Sequence, residues 1–381
     1  MKEKMNQAGL ASKLYYRLCC CVLFFVAAAA SFNGYFDKWH FREAGTSAYM
    51  AGASFDAIVD GTAVRPYIYR QLLPAVANWI DARVAEGAKD RLYEVRLYNG
   101  RLFRDDFIDS PLARSRACFL RYWVVYTMVF LFAWLAIHAM YLAGRAAGYA
   151  SAASALAAIA MILILPYFMT RGGFYYDFPE LAFLALAVWM ALKFDWWWLI
   201  PVAALAAWNK ESFLLFVPAL YPLLRMRTGR MQALAATGVL GLTCTAVYGM
   251  VRLQFQHNAG GMIEIHLLDQ IDYMLHPSNL LLREKTYGLL ALQGFNPMLW
   301  AMTGWTLARG WRFLSPAIQR HAQIAAIINF PLYLLCCVPG ELRNLSLLYV
   351  TLLLLLAANL MRWMGGPVGV AVEQAGARSG S

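Results

Sequence analysis

The chain has 381 residues, of which 61% are hydrophobic, 15% aromatic and only 14% charged, and its mean hydropathy is +0.49. Soluble domains carry about 25% charged residues, so this composition excludes an ordinary soluble enzyme and indicates an integral membrane protein. The net charge of +11 comes mostly from residues beside apolar stretches, which favours membrane orientation over nucleic-acid binding as its explanation.

Apolar stretches alternate with polar turns along the whole chain and predict an all-α fold, a polytopic transmembrane helix bundle that forms a single membrane domain over residues 1–381. We expect about ten spans, within a range of nine to eleven, because three stretches are shorter than the roughly 20 residues that cross a bilayer upright. One of these three is a candidate for a re-entrant segment. The predicted spans are 14–36, 119–143, 149–168, 179–194, 196–209, 211–224, 231–252, 287–308, 322–338 and 345–362.

The first stretch, 14–36, follows a basic N-terminus and passes through a run of small residues, an arrangement shared by cleaved secretory signals and retained anchor helices. Its apolar character continues through Phe32, Tyr35 and Phe36, which favours the anchor. Cleavage would remove one span and leave every later loop on the same side of the membrane.

Lys and Arg in short loops mark the cytoplasmic side of a membrane protein. With the N-terminus inside, the inner segments hold most of the basic residues, whereas the short outer turns hold only Arg171, Lys210 and Arg343, each near a carboxylate in sequence. We therefore predict that both termini are cytoplasmic. The inner basic residues are Lys2, Lys4, Lys13, Arg17, Arg145, Lys193, Arg225, Arg227, Arg230, Arg309, Arg312, Arg320 and Arg362.

The cysteines show no C-x-x-C pair and no histidine at ligand spacing, so the sequence predicts neither a metal centre nor a redox centre. All seven lie within or beside apolar spans: Cys19, Cys20, Cys21, Cys118, Cys244, Cys336 and Cys337.

Residues 37–118 form a long first extracytoplasmic loop that is too polar to be buried in lipid. Within it, residues 69–84 place apolar side chains at helical spacing, which predicts an amphipathic helix resting in the membrane interface. Residues 86–116 are charged and lack a long apolar period, which favours a surface loop or a short helical excursion.

Two acids and two arginines of this loop are candidate functional residues. Asp37 follows the first span directly, so it is either an ordinary interfacial aspartate or a group that meets a lipid head group; Asp60 is a second candidate. Arg65 and Arg70 are either anchors that snorkel to head groups or guanidinium forks that bind a phosphate.

Two further polar groups interrupt apolar sequence. Asp177 and Glu180 begin the fourth predicted span, where they complement a helix N-terminus or line a site. Lys210 and Glu211 are either the turn of a short hairpin or a cation and an acid with a function, because charges near a membrane need water or partners.

Glu341 and Arg343 precede the last predicted span. Two residues apart, they would not face each other on a helix, but in a loop both can point into one cavity; the alternative is a solvated turn. The predicted topology places all these clusters on the same face of the membrane.

Together these elements resemble the GT-C superfamily of polytopic glycosyltransferases, in particular its poorly characterised bacterial membrane proteins. The resemblance covers residues 37–346 and lies in the layout: an acid ending the first span, a long first external loop, RPYIYRQLLP, YYDFPE, NKES and GELRN. The paired acid that the family usually carries beside the first span is absent around Asp37, which keeps Asp56 and Asp60 as alternatives.

The resemblance implies an inverting transfer of a sugar from a polyprenyl-phosphate-linked donor to a lipid or cell-envelope acceptor, on the extracytoplasmic face of a bacterial inner membrane. It implies a general base, for which Asp37 is the first candidate and Asp60 the second. Cations that hold the phosphate would be Arg65, Arg70, Lys210 and Arg343. Acids that position sugar hydroxyls or orient those cations would be Asp177, Glu180, Glu211 and Glu341.

The expected partners are the lipid-linked donor and membrane lipids, without nucleic acid. No cofactor is expected: some related enzymes use a divalent metal, but no ligand set in this sequence requires one. A transporter or lipid flippase is the alternative from another class, although the two halves of the chain show no repeat. A non-catalytic membrane assembly subunit is a third, and it predicts that replacing the acids is harmless.

Overall fold

The computed structural model describes residues 2–42, 52–99, 110–170, 172–261 and 264–365. It is 76% helix and 2% strand, which confirms the predicted helical class. By length and composition, five of the described helices are long and apolar enough to cross a membrane: Tyr15–Trp39, Phe119–Ala146, Ser151–Phe168, Arg230–Gln254 and Leu342–Trp363. These helices indicate an integral membrane protein and correspond to five of the ten predicted spans.

The described helices and strands are numbered in chain order. In order they are α1 (Lys2–Trp39), α2 (Phe55–Val59), α3 (Leu72–Asp81), α4 (Glu86–Asn99), α5 (Pro111–Arg114), α6 (Phe119–Ala146), α7 (Ser151–Phe168), α8 (Asp177–Lys193), α9 (Leu199–Asn209), α10 (Ser212–Leu224), α11 (Arg230–Gln254), α12 (Leu267–Leu275), β1 (Arg283–Thr286), β2 (Leu289–Leu292), α13 (Pro297–Gly310), α14 (Pro316–Cys336) and α15 (Tyr349–Trp363). The turn Leu342–Leu348 before α15 is a 3₁₀ helix.

Helices α9 and α10 are too short to cross a bilayer singly. With 11 and 13 residues, they extend about 16 and 20 Å, against about 30 Å of hydrocarbon. Lys210 separates them with an extended backbone, φ −160° and ψ 136°. Asn209 donates to Tyr176 O and Ser212 donates to Glu180, so the two helices meet beside the start of α8.

The predicted span 287–308 is wrong in its first part, where a β-hairpin replaces helix. Strands β1 and β2 pair antiparallel, with Thr286 opposite Leu289. The two residues between them, Tyr287 and Gly288, have φ of 55° and 76°, the left-handed conformations that two-residue hairpin turns use. The apolar run after Gly288 resembles the start of a span, but it is a strand, and α13 begins only at Pro297.

The hairpin is attached to α1 and α7. Tyr287 packs its ring on Gly34, where an added Cβ would lie 2.6 Å from Cε1 of the ring, and its hydroxyl donates to Leu163 O at 2.8 Å. Glu284 Oε2 lies 2.8 Å from Lys38 Nζ, and the Lys38 side chain is only 5% exposed.

In the first loop, the predicted amphipathic helix is present as α3, but its apolar face contacts protein. Leu72, Leu73 and Ala77 are buried, and α3 packs against α6 and α9; Trp79 is 57% exposed on the other side. The charged segment after it contains α4 and α5, while residues 100–109 lie outside the described part of the chain.

The termini of several long helices meet at one end of the bundle. Trp39 at the end of α1 donates to Met169 O just after α7, Tyr248 near the end of α11 packs on Tyr69, and Arg343 before α15 contacts Asp177 at the start of α8. Alternating connections therefore leave the other ends of α6, α7, α8, α11 and α15 on the opposite side of the bundle.

Candidate functional site

The structure brings seven of the ten predicted site residues into one place, which we call the charged cluster. They come from four segments that are far apart in sequence: the first loop, the start of α8, the break between α9 and α10, and the turn before α15. The seven are Arg70, Asp177, Glu180, Lys210, Glu211, Glu341 and Arg343.

Lys210 and Glu180 form the shortest ion pair of the charged cluster. Lys210 Nζ lies 2.7 Å from Glu180 Oε2 and 3.9 Å from Asp177 Oδ1. The other oxygen of Glu180 accepts hydrogen bonds from the hydroxyls of Ser212 and Ser346, at 2.6 and 2.7 Å. Glu180 thus joins α8, α10 and the turn before α15 through one carboxylate.

Arg343 links two carboxylates. Its Nη1 lies 3.3 Å from Asp177 Oδ1 and its Nη2 lies 3.1 Å from Glu341 Oε2. Glu341 also accepts from Asn344 at 2.9 Å, and Asp177 Oδ2 accepts from the backbone N–H of Phe174 at 2.9 Å. The sequence left open whether Asp177 complements the helix start or lines a site. Asp177 lies in the first turn of α8 without capping it, and its carboxylate instead binds the preceding loop and Arg343.

Arg70 brings the first loop into the charged cluster. Its Nη2 lies 2.9 Å from Glu211 Oε1, and its Nη1 donates to the Tyr176 hydroxyl at 2.5 Å. Burial favours the neutral form of Arg70, but the attraction of Glu211 outweighs it and raises the pKa of Arg70 well above its ordinary value. For Glu211, burial acts to raise the pKa, and the charge and hydrogen bond of Arg70 lower it below the ordinary value.

Two stacked aromatic rings lie among the cations. Phe174 and Tyr176 are 5.0 Å apart and nearly parallel. The guanidinium of Arg70 is 4.6 Å from the Tyr176 ring, while those of Arg343 and Arg42 are 4.7 and 4.6 Å from the Phe174 ring. Such cation–π contacts hold planar cations in place when they are withdrawn from water.

Sequence reasoning did not find Arg42. It is 8% exposed, and its guanidinium lies so close to Gly172 that a side chain at that position would collide with it. Its only sequence signal is that it follows Trp39, near the predicted outer end of the first span. Within the described residues, the charged cluster has three cations and four carboxylates, so adding the cation of Arg42 makes the formal net charge zero.

An apolar cavity of about 340 Å³ adjoins the charged cluster. It lies between α13, α14 and α15, and extends from Phe168 at the end of α7 to Trp311 and Gln323. One wall is Leu342, the residue between Glu341 and Arg343. The cavity is therefore next to the turn that carries Glu341 and Arg343, although none of the seven charged side chains is among its lining residues.

Three predicted residues do not join the charged cluster. Asp37 is on the exposed side of α1 and accepts from Asn33 at 3.2 Å. Asp60 is 2.6 Å from Arg121, with 51% of its side chain exposed. Arg65 is half-buried, and its backbone N–H donates to Ala259 O. Their predicted roles stay predictions, and Arg171 lies outside the described residues.

No group of three or more His, Cys, Asp or Glu is arranged to hold a metal ion in the part of the chain that the structure describes. The charged cluster instead presents carboxylates that are each engaged by a cation or by hydrogen-bond donors.

No protein-family model, curated protein or solved structure matches this chain. The resemblance to the GT-C superfamily therefore depends on the sequence layout alone.

Proposed function

We propose that this protein is a membrane glycosyltransferase that moves a sugar from a polyprenyl-phosphate-linked donor to a lipid or cell-envelope acceptor. The observation that carries the proposal is that an apolar cavity lies next to the turn that bears two residues of the charged cluster. A donor of this class has a charged phosphate, a polar sugar and a long apolar chain, and these need two such environments side by side.

The donor phosphate would bind beside Phe174. Arg343 and Arg42 both approach this ring, and guanidinium groups bind phosphate oxygens through paired hydrogen bonds. A phosphate there would compete with Glu341 for Arg343, since the charge of the cluster is already balanced. Cations held in place by aromatic rings also stabilise the charge that grows on the leaving phosphate.

The sugar would meet the carboxylates of the cluster, and the chain of the donor would enter the apolar cavity past Leu342. Glu211 is the most accessible of these acids, with 29% of its side chain exposed, and its buried Oε2 atom has no hydrogen-bond partner among the described residues. Its lowered pKa keeps it ionised and makes it a weak base, which suits a group that positions a hydroxyl. Asp37 and Asp60 remain the candidate bases that the resemblance implies, although their contacts with Asn33 and Arg121 lie outside the charged cluster.

The experiment measures transfer of labelled sugar from synthetic polyprenyl-phosphate donors, offered as a panel of sugars, in proteoliposomes that contain membrane acceptors. We expect Glu211→Gln to lower transfer, and Asp37→Asn or Asp60→Asn to abolish it, with no loss of folded protein. The matched control is Glu86→Gln, which neutralises an exposed acid of α4 and should leave transfer unchanged.

The outcome separates the alternatives. Full transfer by both aspartate variants would mean that the base lies elsewhere, and absence of transfer with every donor would reject the activity. Solute uptake by the same proteoliposomes, unaffected by any lipid-linked sugar, would favour the transporter. Unchanged cellular function in all acid variants is the result that a non-catalytic assembly subunit predicts.

A further inference from the structure

A second crevice, of about 450 Å³, lies between the end of α10 and the start of α14. Arg225 and Arg320 line it together with apolar groups such as Tyr221, Ala317 and Ile324. Ser212 at the start of α10 contacts Glu180, and the 13 residues of α10 then extend about 20 Å to this crevice. The crevice therefore lies on the side of the bundle away from the charged cluster.

The positive charge of the crevice is not neutralised by the helices that form it. Arg225 and Arg320 are both exposed, and among the described residues no carboxylate lies within ion-pair distance of either. The sequence explains this, since residues 212–263 and 285–340 contain no Asp and no Glu. These two segments supply α10, α11, α13 and α14, so none of these four helices brings a carboxylate of its own to the crevice.

The start of α14 adds to the positive potential of the crevice. Pro316 and Ala317 line it from the first turn of this 21-residue helix, which Ser315 caps by accepting from the Ile318 N–H. The helix dipole places a partial positive charge at this end, where phosphate groups are favoured. Two guanidinium groups and a helix start thus face the same space.

The rest of the crevice is suited to a hydrocarbon chain. Ile324 and Ile327 continue its wall along α14, and Ile327 is 73% exposed. A free inorganic anion would gain nothing from these side chains, whereas an acyl chain laid on them would be in contact along one or two helical turns. The combination of cationic rim and apolar wall points to one amphiphilic molecule.

We propose that this crevice binds one anionic phospholipid, with its phosphate between Arg225 and Arg320 and an acyl chain on Ile324 and Ile327. The site is separate from the proposed sugar transfer and does not depend on it. Basic pockets between transmembrane helices are suited to anionic head groups, and each arginine near a charged membrane surface contributes roughly a fivefold gain in affinity.

The experiment uses the full chain, purified in a neutral detergent and titrated with phosphatidylglycerol or phosphatidylcholine, with bound lipid counted by native mass spectrometry. We expect one phosphatidylglycerol to be retained in preference to phosphatidylcholine. Arg225→Gln and Arg320→Gln should each weaken it about fivefold, and the double variant about 25-fold. Arg227→Gln removes the same charge from the same turn but does not line the crevice, and should change affinity less than twofold.

A variant that keeps both arginines tests the shape of the site. Ala317→Phe fills the crevice, and we expect it to displace the phospholipid while the protein stays monodisperse. The proposal is overturned if Arg227→Gln weakens binding as much as Arg320→Gln, because the attraction would then be non-specific. It is also overturned if phosphatidylcholine binds equally, or if glycerol phosphate competes as well as phosphatidylglycerol.

Discussion

Lys210 and Glu180 are 30 residues apart in sequence, yet their charged atoms lie 2.7 Å apart in a place where neither side chain is more than 7% exposed. The pair joins the break between α9 and α10 to the first turn of α8. Because both charges have lost their water, each depends on the other, and this contact holds two short helices in the bundle that could not cross a membrane alone.

We expect Lys210→Met to destabilise the protein by about 3–5 kcal/mol, since it leaves the buried carboxylate of Glu180 without its cation. Adding Glu180→Gln to that variant should recover much of the loss, because the amide is neutral and can still accept from Ser212 and Ser346. Denaturant unfolding in detergent micelles of the two single variants and the double variant measures the coupling.

The matched control is Lys89→Gln, which breaks the solvent-accessible pairs of Lys89 with Asp81 and Glu86, where the side chains are 19–82% exposed, and should change stability little. If the losses from Lys210→Met and Glu180→Gln simply add in the double variant, the two residues are not energetically coupled and the structural role of the pair is refuted.

The charged cluster could be predicted from sequence because charges beside apolar spans are costly and need partners. The same reasoning could not place Asp37, since the acid ends a helix whose exposed side also carries Val22, Val26 and Asn33, and only packing decides which side faces the bundle. Hairpin β1–β2 was not predicted because its second strand is as apolar as a membrane helix. Arg42 was not predicted because its contacts are with Gly172 and Phe174, which are far away in the sequence.

The Arg70–Glu211 pair predicts how stability responds to acid. Burial acts to raise the pKa of Glu211, but Arg70 lowers it below the ordinary 4.5 in the folded protein. The stabilisation is therefore present above about pH 4.5 and is lost as the pH falls through the lowered value. Glu211→Gln removes the titrating group, so we expect its unfolding temperature to fall less than that of the wild type on acidification below pH 4.5. An equal fall in both proteins would contradict this.

The contact between Gly34 and Tyr287 predicts that Gly34→Ala changes stability in opposite directions with and without the tyrosine ring. Alanine normally stabilises a helix relative to glycine by about 0.5–1 kcal/mol, but at Gly34 the new methyl group would meet the Tyr287 ring at 2.6 Å. The ring cannot easily move, since its hydroxyl is bonded to Leu163 O and its backbone occupies the hairpin turn. We expect Gly34→Ala to destabilise the protein by about 1–3 kcal/mol, as overpacking does.

In a Tyr287→Ala background the collision is absent, and Gly34→Ala should become neutral or stabilising in thermal unfolding. Gly238→Ala in α11 is the matched control, because nothing lies within 4 Å of its added Cβ, and it should stabilise both backgrounds equally. Should Gly34→Ala have the same effect with and without the tyrosine ring, the hairpin does not press on α1 as described.

Filling the apolar cavity separates its proposed use in donor binding from a role in stability. Ala326 lines the cavity from α14, and Ala326→Phe occupies part of its 340 Å³ without adding a charge or touching the charged cluster. Because extra apolar contacts replace empty space, the variant should be as stable as the wild type or slightly more so.

If the cavity holds the hydrocarbon chain of the donor, transfer from a long-chain donor should fall tenfold or more, on the order of 1.4 kcal/mol of lost binding. A donor truncated to one or two isoprene units should be used as before. Steady-state rates with the two donors check this, and an equal fall with both would show that the cavity serves the packing of α13, α14 and α15 instead of the chain.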